Sequence, residues 1–147
     1  RCVTFESAPE LYKAVKKIPP STVLTDMKMP TVTGLDVLKE IRKMDPDLPV
    51  LFVSGYLDKD VLLGAIESGV FAAIEKPFSE KTILTYVRNA IRQRLIAQTL
   101  NRTINLLTYQ FSDLDQFLKT QGKEDVRRTI RNEINSLVEC RKTFRAK

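Results

Sequence analysis

The sequence has no histidine, no tryptophan, two cysteines and five glycines in 147 residues. Without histidine, Ser-His-Asp and Cys-His catalysis, His-ligated metals and self-phosphorylation on histidine are all excluded. Cys2 and Cys140 lie at opposite ends with no metal-ligand spacing, so a reduced, cytoplasmic protein is expected. No apolar run approaches the ~20 residues that span a bilayer, and no charged-then-apolar start reads as a signal peptide, so no membrane partner is expected. What remains is ordinary for a soluble globular chain, with 43% apolar and 29% charged residues. The length corresponds to one domain plus an extension. The net charge of +6 raises the question of a nucleic-acid partner.

Turn residues and charge divide the chain at the same place. All seven prolines lie at or before Pro77, and only Gly122 among the glycines lies beyond Gly69. Residues 1–80 carry net charge −2, and residues 81–147 carry +8. A turn-rich, slightly acidic part is followed by a basic part with little turn punctuation.

The first part alternates strand and helix. Val3-Thr4-Phe5 is a short strand candidate. Ser7-x-x-Glu10 has the form of a capping box, with Leu11, Ala14, Val15 and Ile18 on one helical face behind it. Pro19-Pro20 stops that helix. Thr22–Thr25 is a β-branched run that predicts a buried strand. After a loop over Asp26–Thr33, Leu35, Leu38 and Ile41 mark a second helix. Val50–Val53 is apolar throughout, as a parallel strand covered on both faces should be. A third helix is predicted over 58–68, with Val61, Leu62, Ala65 and Ile66 inward and Gly69 as its stop. Val70–Ile74 is the last strand candidate. This alternation predicts a doubly wound α/β parallel sheet.

In such sheets chemistry gathers at the carboxyl ends of the strands. Asp26, Ser54 and Lys76 stand at three successive ends. A carboxylate, a hydroxyl and an ammonium there suit reversible phosphorylation of the carboxylate. Lys76 can neutralise a phosphoryl oxygen, and Ser54 can donate a hydrogen bond to another. Each residue also has a plainer reading. An Asp after a strand is often a turn cap, a lone lysine is a solvated charge, Pro30 and Gly34 are turn residues, and Tyr56 and Phe78 are packing residues.

Three ordered motifs sharpen the choice. Val23-Leu24-Thr25-Asp26-Met27-Lys28-Met29-Pro30 with Gly34-Leu35 resembles the phosphoacceptor region of two-component receiver domains. Val53-Ser54-Gly55-Tyr56 resembles the family's switch-hydroxyl strand end, and Glu75-Lys76-Pro77-Phe78 its Lys-Pro motif. The separations are 28 residues from Asp26 to Ser54 and 22 from Ser54 to Lys76. The resemblance covers residues 1–94 and implies a flavodoxin-like fold with Asp26 as phosphoacceptor. It further implies Ser54 as switch hydroxyl, Lys76 as phosphate partner and a cis Lys76-Pro77 bond. It also implies a Mg²⁺ ion held by Asp26, the backbone carbonyl of Lys28 and further acidic ligands. Two features depart from the family. Its first strand and helix, with an acidic pair at that strand's end, precede the segment seen here, and Glu6 and Glu10 are not placed to replace the pair. The missing strand would be central in the usual 2-1-3-4-5 order. A fragment or partial record of a longer protein is therefore expected, as the lack of an initiator Met also favours, or else a form whose gap another chain fills. The position of the family's switch aromatic holds Ala73, for which Phe71 is the nearby substitute.

The tail, residues 95–147, reads as a helical extension. Ser79 is a plausible cap for the receiver's last helix, whose inward face is formed by Ile83, Leu84, Val87 and Ile91. The apolar pattern then continues through Ile96, Leu100, Ile104, Leu107, Phe111, Leu114 and Leu118 in heptad-like steps. A helix from Glu80 to Leu118 would be ~58 Å long at ~1.5 Å per residue. Gln121-Gly122-Lys123 breaks it. Val126, Ile130, Ile134, Leu137, Arg141 and Phe144 repeat the pattern, predicting a hairpin or coiled-coil tail. Such a stripe packs within the hairpin or against a second chain, making a homodimer one expectation. The positive charge interleaves with the stripe, so it reads as a solvated helix face, and nucleic-acid binding by this chain alone is not expected.

The functional expectation is a response regulator. It would accept a phosphoryl group on Asp26 from a partner histidine kinase or phosphotransfer protein and pass the change through its last helix to the tail. It would not be a turnover enzyme. The alternatives are a non-phosphorylated pseudo-receiver scaffold that dimerises or docks, and the regulatory part of a longer DNA-linked regulator.

Overall fold

A computed structural model describes residues 2–55 and 59–145. The chain divides into two compact units, Arg1–Arg94 and Leu95–Lys147. In the first unit, β1 (Val23–Asp26), β2 (Val50–Ser54) and β3 (Ala72–Glu75) form a parallel sheet in the order β1-β2-β3. α1 (Ala8–Lys17) precedes β1, α2 (Gly34–Met44) and α3 (Lys59–Glu67) connect the strands, and α4 (Glu80–Thr120) follows β3. This is the expected α/β sheet.

Two apolar layers sandwich the sheet. On one face Val15, Val37, Leu38, Ile41 and Ala65 pack with Val23, Val50 and Phe52. On the other, Ala90 of α4 packs with Leu51, Val53 and Ile74, and Ile83 lies against them. Leu84 and Ile91, expected on the inward face, are exposed because Ala90 takes that face instead. Every residue of β2 is therefore buried, which explains its unbroken apolar sequence. β1 is different: Val23 and Thr25 are buried, but Leu24 is 44% exposed. β1 is one of the two edge strands of this sheet, and the expected full burial fails on one of its faces.

Other local expectations are corrected. Val3–Phe5 is not a strand, and both Val3 and Phe5 are exposed. A strand needs a ladder partner, and none of the described strands lies beside it. Ser7 does occupy the N-cap of α1, but its side chain makes no capping bond, so the predicted capping box is not formed. Ile18 is the C-cap of α1 with extended backbone, which swings it out to 74% exposure. In α3, Ala65 is buried and Leu62 half-buried, whereas Ile66 is 57% exposed. The Val61 side chain lies outside the described part.

Helix ends follow local chemistry. α3 closes with Gly69 at φ +78°, its N–H donating to the Ile66 carbonyl and that of Val70 to the Ala65 carbonyl. This paired closure needs a left-handed residue, which glycine supplies without steric penalty. It also occupies the Val70 N–H, so β3 begins at Ala72 rather than at the predicted Val70. Arg42 ties the loops together by donating to the carbonyls of Leu48 and Gly69, both at 2.6 Å. Ala73 packs on the α1–α2 face and Phe71 on the α4 face. Phe71 is therefore not a substitute aromatic for position 73.

The second unit contains the rest of α4 and α5 (Glu124–Arg145). Gly122, at φ +65°, closes α4 with the same pair of bonds, from Gly122 to Lys119 and from Lys123 to Leu118. The predicted break and second helix are both present. At the turn end, Arg127 donates to both oxygens of Asp115 at 2.8–2.9 Å and to Glu124 at 2.7–2.8 Å. The Arg127 contact holds the Asp115 carboxyl below its usual range, and bidentate geometry of this kind favours a single arrangement.

The apolar stripe divides. Ile104 is buried, and Leu100, Phe111, Leu118, Ile130, Ile134, Val138 and Arg141 are half-buried. The predicted members Ile96, Leu107, Leu114, Val126 and Leu137 are exposed, and the Phe144 side chain lies outside the described part. Val138 replaces Leu137 in the half-buried set, since a stripe drawn from spacing alone leaves its edge positions undecided.

Candidate functional site

The site is built at the carboxyl ends of the three strands. Asp26 is the last residue of β1 and stands opposite Val53, which in turn stands opposite Ile74. Ser54 closes β2, one step beyond Val53. Lys76 follows the last residue of β3, and its N–H donates to the Ser54 carbonyl at 2.7 Å. That bond extends the β2–β3 ladder by one rung and delivers the Lys76 side chain to the site. The Lys76-Pro77 bond is cis, as the resemblance implied.

The three residues arrive on the same sheet edge, 50 positions apart from first to last. The Lys76 Nζ donates to the Asp26 Oδ2 at 2.5 Å. The other carboxylate oxygen, Oδ1, accepts from the Lys28 N–H at 3.0 Å. The Lys76 hydrogen bond is the main reason that the Asp26 carboxyl lies below its ordinary range. Partial burial opposes it, and the N–H groups of Lys28 and Met27 assist it. Asp26 is therefore an ionised carboxylate at neutral pH with a cation at hand. Ser54 is buried at 1% exposure, whereas Gly55 beside it is exposed. Phe78 is 38% exposed, so it is not a core packing residue. Tyr56 lies outside the described residues. Ser79 caps α4 as expected, its Oγ accepting from the Thr82 N–H at 3.1 Å.

One device here was not read from the sequence. Thr33 and Asp36 form a full capping box at the start of α2, and Lys28 bridges to Thr33. The loop leaving Asp26 is thereby closed on itself. Its signal, Thr-x-x-Asp before the apolar run from Leu35, is legible once the start of the helix is known.

Among the described residues, no group of three or more His, Cys, Asp or Glu side chains lies together so as to hold a metal ion. Mg²⁺ asks for about six oxygen ligands in near-octahedral array. Asp26 is bonded to an ammonium, and Asp26 with the Lys28 carbonyl does not by itself fit that demand.

The Asp26–Lys76 contact has a pH signature. A carboxyl whose pKa is lowered by folding contributes stability fully present above the unfolded value of ~3.9 and lost as pH falls through the lower folded value. Lys76→Ala should return the Asp26 titration midpoint toward the ordinary value. The stability loss should stay below ~1 kcal/mol, because both side chains are about two-fifths exposed. Carboxyl-detected NMR titration checks this, and an unmoved midpoint would reject the pairing.

Comparison with known proteins agrees with the fold and the motifs. Residues 1–88 match the family model described as the response regulator receiver domain. The C4-dicarboxylate transport transcriptional regulatory protein DctD of Pseudomonas aeruginosa is 30% identical over 138 residues, which is 93% of this chain and 29% of that protein. The chain thus spans less than a third of that regulator's length. A receiver domain protein from Clostridium thermocellum superposes with a TM-score of 0.60 at 30% identity, covering 64% of this chain and 76% of the other. The beryllofluoride-activated NtrC4 receiver domain dimer gives 0.55 at 27% identity, over 58% and 71% of the two chains. Receiver domains are signalling modules rather than turnover enzymes, and among the described residues no helix is long and apolar enough to cross a membrane. Strand order, motif spacing and the match over residues 1–88 agree, and the chain belongs to the response regulator receiver domain family.

Proposed function

We propose that Asp26 is the acceptor of a phosphoryl group supplied by a partner histidine kinase or phosphotransfer protein. The supporting observation is the ionised Asp26 carboxylate held against Lys76 at the strand ends. An Asp26 oxygen attacks phosphorus, the phosphorus–nitrogen bond of the donor phosphohistidine breaks, and the donor imidazole leaves with a proton. The product is an acyl phosphate on Asp26. Lys76 then pairs with a phosphoryl oxygen instead of the bare carboxylate, and the Ser54 hydroxyl donates to another. The Mg²⁺ ion that the family implies would use Asp26 and the Lys28 carbonyl together with acidic ligands from outside this set. Incubating the full-length protein with a small phosphodonor and Mg²⁺ should add the mass of one phosphoryl group, and Asp26→Asn should abolish the gain. Undiminished labelling of Asp26→Asn would overturn the assignment.

The tail is proposed to carry the output as a homodimer. Leu95, Leu106, Tyr109 and Phe117 of α4 are 56–72% exposed, an apolar face that a second hairpin would cover. Arg127, Arg128, Arg131 and Lys142 are drawn into ion pairs by Asp115, Glu124, Asp125 and Glu139, which argues against a nucleic-acid surface formed by these cations. Light scattering of the intact protein tests the dimer, and a strict monomer would reject it. A pseudo-receiver scaffold is the second reading, favoured by Ala73 at the position of the family's switch aromatic. It predicts no mass gain with any phosphodonor. Similarity to DctD across 93% of the chain supports a place within a longer transcriptional regulator.

A further inference from the structure

We propose that Gly34 is a positioning residue for Asp26: it lets the first turn of α2 press against the Asp26 main chain and so sets where the carboxylate stands. The proposal rests on Asp26 being the phosphoacceptor.

Gly34 is not a turn residue. It is the first residue of α2, buried, with ordinary helical backbone. Conformational freedom is therefore not what position 34 needs. Its need is closeness. A Cβ there would lie 2.7 Å from the Asp26 carbonyl oxygen, 3.1 Å from the Met27 Cα and 3.3 Å from the Phe52 Cε1. Two of these neighbours are main-chain atoms of the acceptor strand and its loop. The third belongs to a fully buried ring in the middle of β2. None can swing aside as the end of a flexible side chain could. The Gly34 N–H also donates to the Met27 carbonyl at 3.0 Å. Helix α2, held by its capping box, thus meets the strand end at Asp26–Met27 with no side chain between them.

The consequence follows from the bonds at Asp26. Its Oδ1 is held by the N–H of Lys28, two residues on, and its Oδ2 by Lys76 across two strands. A methyl group at position 34 must push the Asp26–Met27 peptide away from α2. The carboxylate moves with its main chain while Lys76 stays on β3. Misplacement of a reacting group by about 1 Å can lower a rate ~100-fold.

Gly34→Ala in the full-length protein should lower the rate of labelling by acetyl phosphate tenfold or more, on the order expected for sub-ångström misplacement. The Asp26 carboxyl titration in the folded protein should move up toward the ordinary range. A merely structural glycine would lower the melting point and leave that titration unmoved, and this result would overturn the proposal. So would wild-type labelling with an unmoved titration. If the wild type itself does not label, the phosphoacceptor reading fails, and the Asp26 titration still decides whether Gly34 positions the carboxylate. Gly64, inside α3 with open space around it, provides a stabilising partner substitution because alanine is the better helix former. Gly34→Ala/Gly64→Ala is read in the same way should the single variant not fold. Failure of both to fold would count against a local positioning role.

Discussion

Asp45→Ala is expected to destabilise the first unit by about 3 kcal/mol, the scale for stranding a buried charge. Asp45 follows α2, and its carboxylate accepts from the Arg94 Nη2 at 2.8 Å. The Arg94 side chain is 5% exposed, whereas that of Asp45 is 24% exposed. The Arg94 Nη1 is buried without a hydrogen-bond partner among the described residues. The guanidinium is therefore held in the interior largely by one carboxylate. Removing that carboxylate leaves a buried, uncompensated cation. The reverse substitution should behave differently. Arg94→Met removes the buried charge and its unsatisfied nitrogen while keeping most of the volume. Asp45 would then face solvent and keep its bond from the Asp47 N–H at 3.1 Å. That variant should lose less than ~1 kcal/mol, since replacing a buried ion by a packed apolar chain is often close to neutral. Urea melts of the two variants test the asymmetry, and equal losses would show that Arg94 is not effectively buried.

Phe52→Ala should cost about 4 kcal/mol, the usual range for truncating a fully buried aromatic ring. Phe52 is inaccessible to solvent, sits at the middle of β2, and pairs with Thr25 on one side and Ala73 on the other. Its ring lies under the Gly34 contact. A cavity there would remove support from the Asp26 loop as well as from the core. With total domain stabilities of about 5–15 kcal/mol, such a loss consumes much of the available margin. Leu24→Ala is the matched control. Leu24 is apolar and on the next strand, but it is 44% exposed, and its loss should stay below ~1 kcal/mol. Denaturant midpoints for the pair separate burial from hydrophobicity. Similar midpoints would contradict the edge position of β1.

The candidate site was legible because its three residues are each attached to a strand end, and strand ends can be read. Alternation of β-branched runs with helical faces locates β1, β2 and β3. Parallel pairing then brings Asp26, Ser54 and Lys76 to one edge whatever the helices do. The register did the rest by placing Lys76 one rung past Ser54. Gly34 was not legible as a site residue. A glycine beside a predicted helix start reads equally as a turn, and only the distance to the Asp26 carbonyl separates the two meanings. Arg94 and Asp45 were hidden for a related reason. They lie 49 positions apart, and neither carries a local signal that the other is its partner.

The tail shows the same boundary. Its helices, the break at Gln121–Lys123 and the second helix followed from periodicity and from the glycine, both local properties of the chain. The choice of Val138 over Leu137 for the half-buried set did not, nor did the exposure of Ile96, Leu107 and Leu114. Period alone defines an apolar arc but not its centre, which is fixed only by how the side chains pack. By itself, then, the sequence determined the order of elements, the three strand-end residues and the helical hairpin, because each depends on neighbours within a few positions. Tertiary structure alone decided that Val3–Phe5 is not a strand, that β1 is an edge, and that Gly34 lies against the Asp26–Met27 main chain. Those depend on what lies across the sheet, and contacts between residues distant in sequence leave no local mark.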